Sequence, residues 1–232
     1  MHNIIKASLI ILAASTSALT IAPARADIAL LSAQEDQAAI VSQLMLNEET
    51  VEISLREGFE KEFRRSLLAD PSASALFSDN PELVARLVGE LKPILQDLMI
   101  ADLPMAQSQL AALLSAELSQ KQLALAAAFL RTDSVQKAFQ AGLATGATLG
   151  RDNPEYENAL KGLNNDLIAD LNPADAAIAS DFVESGGALK IEALSPQIAN
   201  IVEKWGAKVG IDSKQVVAAK TIEIMQDYFG AK

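Results

Sequence analysis

The sequence predicts an all-α fold, an irregular bundle of eight to ten helices containing two related helix-break-helix units. Three observations carry that expectation. Half of the 232 residues are apolar but only 4% are aromatic, with Ala and Leu dominant; both enter a helix at little cost, whereas strands draw on β-branched and aromatic residues. Apolar residues recur at steps of three and four along most of the chain, and no segment alternates convincingly at period two. Ser, Thr, Asn, Asp, Gly and Pro punctuate these runs where helices need starts and stops.

Residues 1–26 read as a cleaved signal peptide. Lys6 supplies the positive end, Ala7 to Ala22 form an apolar run, and Ala24-Arg25-Ala26 is a small-x-small cleavage site before Asp27. The run is too short and too rich in Ala, Ser and Thr for a membrane anchor. The chain has no Cys, which excludes a lipid-anchored lipoprotein, and no apolar run after Asp27 is long enough to span a bilayer. The expectation is a mature chain, residues 27–232, that forms a single all-helical domain, periplasmic or secreted, long enough for a sizeable core. Loss of Lys6 and Arg25 takes the formal charge from −11 to −13. That balance argues against nucleic acid and anionic lipid surfaces as partners, because both require a cationic face.

Export also narrows the chemistry. With no Cys there are no disulfides or thiol nucleophiles, and the only His, His2, departs with the signal. Ser-His-Asp and Cys-His catalysis, His-based zinc or copper sites and His-held haem are therefore ruled out. No catalytic residue, metal ligand or cofactor is assigned.

The elements follow in order. Asp27 to Leu46 is helical but weakly punctuated. Asn47 caps a helix whose Val51, Leu55, Phe59, Phe63 and Leu67 form one apolar stripe at i+4 steps. Glu52/Arg56, Glu57/Lys61 and Glu60/Arg64 support it from the solvated faces. Residues 70–80 are a linker in which Leu76 and Phe77 tuck one turn against the core. Asn80-Pro81 starts a helix that kinks, without stopping, at Pro93, and Pro104 opens another with Leu110, Leu113 and Leu114 inward. Ser119 with Gln122 is a capping box for a helix burying Leu123, Ala126, Phe129 and Leu130. Thr132 caps the next helix, which ends in Gly142, Gly146 and Gly150, a spacing that suits close backbone packing or a fraying end. Asn153-Pro154, Asn172-Pro173 and Ser195-Pro196 start three more, with Trp205 in the core of the last. A short helix covers 188–193, Gly210 closes the Ser195 helix, and Asp212 with Gln215 caps a final one running to Phe229.

Two stretches match when slid by 53 positions without a gap. Leu118, Ser119, Phe129, Thr132 and Lys137 fall on Leu171, Asn172, Phe182, Ser185 and Lys190, within repeat units of about 104–143 and 157–194. Leu118, Phe129, Thr132 and Lys137, with Leu171, Phe182, Ser185 and Lys190, are the structural anchors of the two copies. The unit resembles the bacterial family of exported helical proteins that carry domain of unknown function 2059. That family's pattern is a capped Leu-Thr/Ser-x-x-Glu/Gln-Leu helix ending in Phe-Tyr-x-Ser-Pro-x-Gly-x-Lys. Leu118-Ser119, Gln122-Leu123, Phe129, Thr132 and Lys137 occupy those places, as do Leu171, Asp175, Phe182, Ser185 and Lys190. Leu130 and Val183 replace the Tyr, Asp133 and Gly186 the Pro, and Val135 and Ala188 the Gly. The resemblance covers residues 80–195 and implies an exported all-helical protein without a known activity; it supplies no catalytic residues.

Other motifs resolve into simpler roles. Ser134-x-x-Lys137, Tyr156-x-Asn158 and Lys220-Thr221 evoke the trio of penicillin-binding enzymes, but Lys220-Thr221 would need a strand and lies in a helical pattern. No pair of acids stands out from the charged surface for glycosidase work. Asp152, Asn153 and Glu155 lack the twelve-residue calcium-loop pattern and read as a polar loop with an N-cap. The sequence thus points to a non-enzymatic module that binds an unknown protein partner or self-associates as a homo-oligomer. The alternative is a carrier holding an apolar ligand such as a lipid between its helices.

Overall fold

The computed structural model describes residues 36–69, 74–149 and 153–230. It is all-α, 91% helical, with no strand among those residues. Residues 1–35, which include the expected signal peptide, and the linker start at 70–73 lie outside the described residues, as do Gly150 and Asp152.

Helix α1 (Gln37–Met45) is capped by Asp36, whose carboxylate accepts from the Ala38 and Ala39 amides. Helix α2 (Glu48–Ser54) starts at a full capping box. Asn47 Oδ1 accepts from the Thr50 amide at 2.8 Å, and Thr50 Oγ1 accepts from the Asn47 amide at 3.0 Å. It runs through a π-helical turn (Leu55–Phe59) into α3 (Glu60–Ala69). The wider turn breaks the regular i+4 stripe: Val51 and Leu55 are buried, but Phe59, Phe63 and Leu67 are only partly so. It also upsets the expected charge pairing. Glu57 joins Arg56 at 2.8 Å rather than Lys61, and Lys61 donates instead to the Thr148 carbonyl at 2.8 Å. Helix α4 (Ser74–Asp79) buries Phe77.

Helix α5 (Pro81–Glu117) is one continuous rod of 37 residues. Pro104 therefore opens no new helix, contrary to expectation, and Pro93 is no stop. Both prolines lie on the exposed side, where water can serve carbonyls that the missing amides leave unbonded. Next come α6 (Gln120–Leu130), α7 (Asp133–Leu149), α8 (Tyr156–Asp170), α9 (Pro173–Glu184), α10 (Gly187–Ala193), α11 (Ser195–Asp212) and α12 (Lys214–Gly230). Gly210 does not close α11, which runs on to Asp212. Asp212 does not cap α12 either, because its carboxylate is turned back onto Lys208, one turn earlier, at 2.8 Å.

Two apolar clusters hold these rods together. The larger joins α1, α2, the second half of α5 and helices α6 to α11, and buries Trp205. The smaller sets Leu83, Leu87 and Leu91 of α5 against Phe77, Ile224 and the partly buried Phe63 and Leu67; Phe59 borders both. Within the larger cluster the two matched stretches pack directly on each other. Helix α6 lies on α9 and on α10, α7 on α8, and α11 on the long α5, so the helix that leaves the first matched stretch rests against the one that leads into the second. Gly142 and Gly146 of α7 are buried, as close backbone packing requires.

Candidate functional site

The two matched stretches meet at the centre of the fold. Phe129 and Phe182, 2% and 1% exposed, stack with ring centroids 5.5 Å apart and planes at 28°. Each is delivered by a capped helix. Ser119 Oγ accepts from the Gln122 amide, while Asn172 Oδ1 accepts from the Ala174 and Asp175 amides. Each helix then breaks three residues after its Phe. Thr132 Oγ1 donates back to the Phe129 carbonyl at 3.0 Å, and Ser185 Oγ donates to the Phe182 carbonyl at 2.6 Å. Thr132 was expected to cap α7, but its hydroxyl serves the helix behind it. Only Ser185 does both jobs, because it also accepts from the Gly187 amide at 3.1 Å.

The second break needs its glycines. Gly186 has φ +73°, and a Cβ on Gly187 would lie 2.6 Å from the Phe182 ring. The residue the sequence reading undervalued is Gln122. Besides completing its own capping box, its Nε2 donates to the Ser185 carbonyl at 2.8 Å, tying the start of one unit to the break of the other. Nothing local to residues 119–123 signals that second bond.

The remaining anchors divide. Leu118 is buried and Leu171 half-buried. Lys190, though exposed, donates to the Glu117 carbonyl at the C-terminal end of α5 (2.9 Å) and to Gln122 Oε1 (3.4 Å). Asp170, 53 positions after Glu117, offers the equivalent carbonyl at the end of α8, and there Ser134 Oγ donates at 3.3 Å. Lys137 makes no hydrogen bond or ion pair among the described residues and faces a cleft between α2 and α7.

The trio resembling a penicillin-binding site is not assembled as such a site. Ser134 is spent on the Asp170 carbonyl. Lys220 sits in helix α12 and pairs with Glu90 at 2.9 Å and Glu223 at 2.8 Å. Tyr156 is buried on α8. Arg86 joins the same surface network through Glu90 (2.7 Å) and Asp227 (3.2 Å), fastening α12 to α5. The Lys220 ammonium, followed by Arg86, holds the Glu90 carboxylate below its ordinary value. Among the described residues no group of three or more His, Cys, Asp or Glu stands where it could hold a metal ion.

Helix α12 itself is thinly covered. Ile224 is its one buried residue, while Val216, Ile222 and Phe229 are 48%, 56% and 42% exposed. Leu68, on α3, is also exposed. No helix among the described residues is long and apolar enough to cross a membrane. No protein-family model, no curated protein and no solved structure matches the chain.

Proposed function

We propose that this chain is an exported, non-enzymatic helical protein, periplasmic or secreted, that works by associating through a helix face, with a protein partner or with itself. The observation that carries this reading is α12, which buries Ile224 alone and leaves Ile222 and Phe229, seven positions apart on one face, to solvent. Large apolar residues gathered on one thinly held element are what interfaces draw on. The address rests on the signal-like residues 1–26. Duplication of a helix-break-helix unit accounts for the caps, hydroxyl bonds and stacked Phe residues repeated at one offset, and the resemblance to the exported helical family agrees with it.

The carrier alternative gains no support from the α2–α7 cleft, which is bounded by Glu49, Glu52, Arg56, Lys137 and Gln140, the opposite of what an apolar ligand needs. Native mass spectrometry of residues 27–232 tests the reading. A defined dimer or higher oligomer, or a stoichiometric protein complex from the native extract, is expected. Co-purifying lipid would favour the carrier, and a bare monomer in both preparations would contradict association.

A further inference from the structure

The cleft between α2 and α7 is lined by charges of both signs: Arg56 pairs with Glu52 at 3.9 Å and with Glu57 at 2.8 Å, whereas Lys137, across the cleft on α7, pairs with neither Glu49 nor Glu52. Its volume is about 370 Å³, with the buried Ile53 beneath, Glu49, Glu52 and Arg56 on one side and Lys137 on the other. Glu49 and Lys137 have no ion-pair or hydrogen-bond partner for their side chains among the described residues. Glu49, which lies in the field of Arg56 on its own wall, and Lys137 therefore face the cleft from opposite walls without bonding to each other. A simple anion would be repelled by the Glu49 side, and a simple cation by the Lys137 side. A molecule carrying both charges meets attraction at each end.

Two further observations single out this place. Lys137 and Lys190 stand 53 positions apart in matched stretches, yet Lys190 is fixed on the Glu117 carbonyl and Gln122. At the equivalent carbonyl of Asp170, Ser134 serves instead. Lys137 is thereby released from the structural job its counterpart performs. Arg56, in turn, lies in the π-helical turn Leu55–Phe59; such turns are rare overall and frequent at functional sites.

We propose that this cleft binds a small zwitterion, with its carboxylate on Lys137 and its ammonium on Glu49. A free α-amino acid and a short peptide share that chemistry and differ in the span between their charges. Isothermal titration of residues 27–232 with alanine and with alanyl-alanine tests it, acetate and methylamine serving as half-ligands. At least one zwitterion is expected to bind about tenfold more tightly than either half-ligand, a factor set by one added charge-assisted contact. Saturation by alanine alone would assign the free amino acid, and by alanyl-alanine alone the peptide. Lys137→Ala and Glu49→Gln should each lose about that factor, whereas Lys121→Ala, on the exposed side of α6, should not. Both residues are exposed, so circular dichroism should show the variants folded. Failure of both zwitterions to bind below about 10 mM, the edge of specific recognition, would overturn the proposal. So would binding that neither variant weakens.

Discussion

Lys190 reaches back across 73 residues to the Glu117 carbonyl, so the break of the second unit closes the helix that leads into the first. A lysine ammonium suits that place because the last carbonyls of a helix are unbonded and carry the negative end of its dipole. Ser134 at the Asp170 carbonyl completes the exchange from the other side. The two units therefore clasp each other at both ends, with Phe129 and Phe182 between.

Gln122 is the polar hinge of that clasp. Gln122→Ala removes the return bond to the Ser119 amide and leaves the Ser185 carbonyl without its donor. Urea denaturation should show a loss of about 1–2 kcal/mol. Gln122→Glu, which keeps the acceptor but loses the amide donor, should recover only part of it.

The second break should tolerate no side chain at Gly187. An alanine there would put its Cβ 2.6 Å from the Phe182 ring, forcing the stacked pair to shift, and about 1–3 kcal/mol should be lost. Gly186→Ala acts differently, through the strain of φ +73°, and should cost about 1 kcal/mol. Thermal melts of the two variants distinguish these effects, because only Gly187→Ala should also alter the near-ultraviolet signal of the core.

Acid should loosen α12 before the rest of the chain. Glu90 is held below its ordinary value by Lys220 and then Arg86, so its folded value lies below its unfolded one. The stabilisation it supplies is complete above the ordinary glutamate range and is lost as pH falls through the depressed value. Lys220 is raised by Glu223 and then Glu90, and Arg86 by Glu90 and then Asp227, so both stay charged throughout. Protection of α12 amides, corrected for intrinsic exchange, should fall in that acid window. In Glu90→Gln the acid-dependent step should disappear.

Ile224 alone is buried on α12, so the helix should come away as a unit. Ile224→Ala should cost about 2–4 kcal/mol and raise amide exchange along α12 while α6 and α9 keep their protection. Equal loss across all helices would mean the small cluster is not an independent folding element.

Much of this fold is written locally. Asn47, Ser119 and Asn172 cap helices as side-chain chemistry demands, and Phe77, Phe129, Phe182 and Trp205 are buried where helical spacing puts them. What failed were inferences from residues whose rule depends on surroundings. Pro104 reads as a helix start, yet it rides the exposed side of a helix that continues through it. Asp212 reads as a cap, yet Lys208 claims its carboxylate. The π turn at Leu55–Phe59 has no local signature in the residues that form it, and there Glu57 pairs with Arg56 while Lys61 is held on the Thr148 carbonyl. At the candidate site, the clasp's aromatic centre was legible because both copies carry a Phe at one offset. The Gln122–Ser185 bond was not, because it joins residues 63 apart in sequence. The release of Lys137 into a cleft became visible only once Lys190 was seen docked.

The stretch Leu118–Lys137 forms one half of a structural clasp centred on the Phe129–Phe182 stack. A double-mutant cycle on Phe129 and Phe182 by equilibrium urea unfolding, run beside Ser134→Ala, tests this most directly. Phe129→Ala and Phe182→Ala should each cost about 3–5 kcal/mol, with a coupling of about 1 kcal/mol between the stacked rings. Ser134→Ala should stay within about 0.5 kcal/mol of the parent. Additive losses, or a Phe129→Ala protein as stable as the parent, would contradict the clasp.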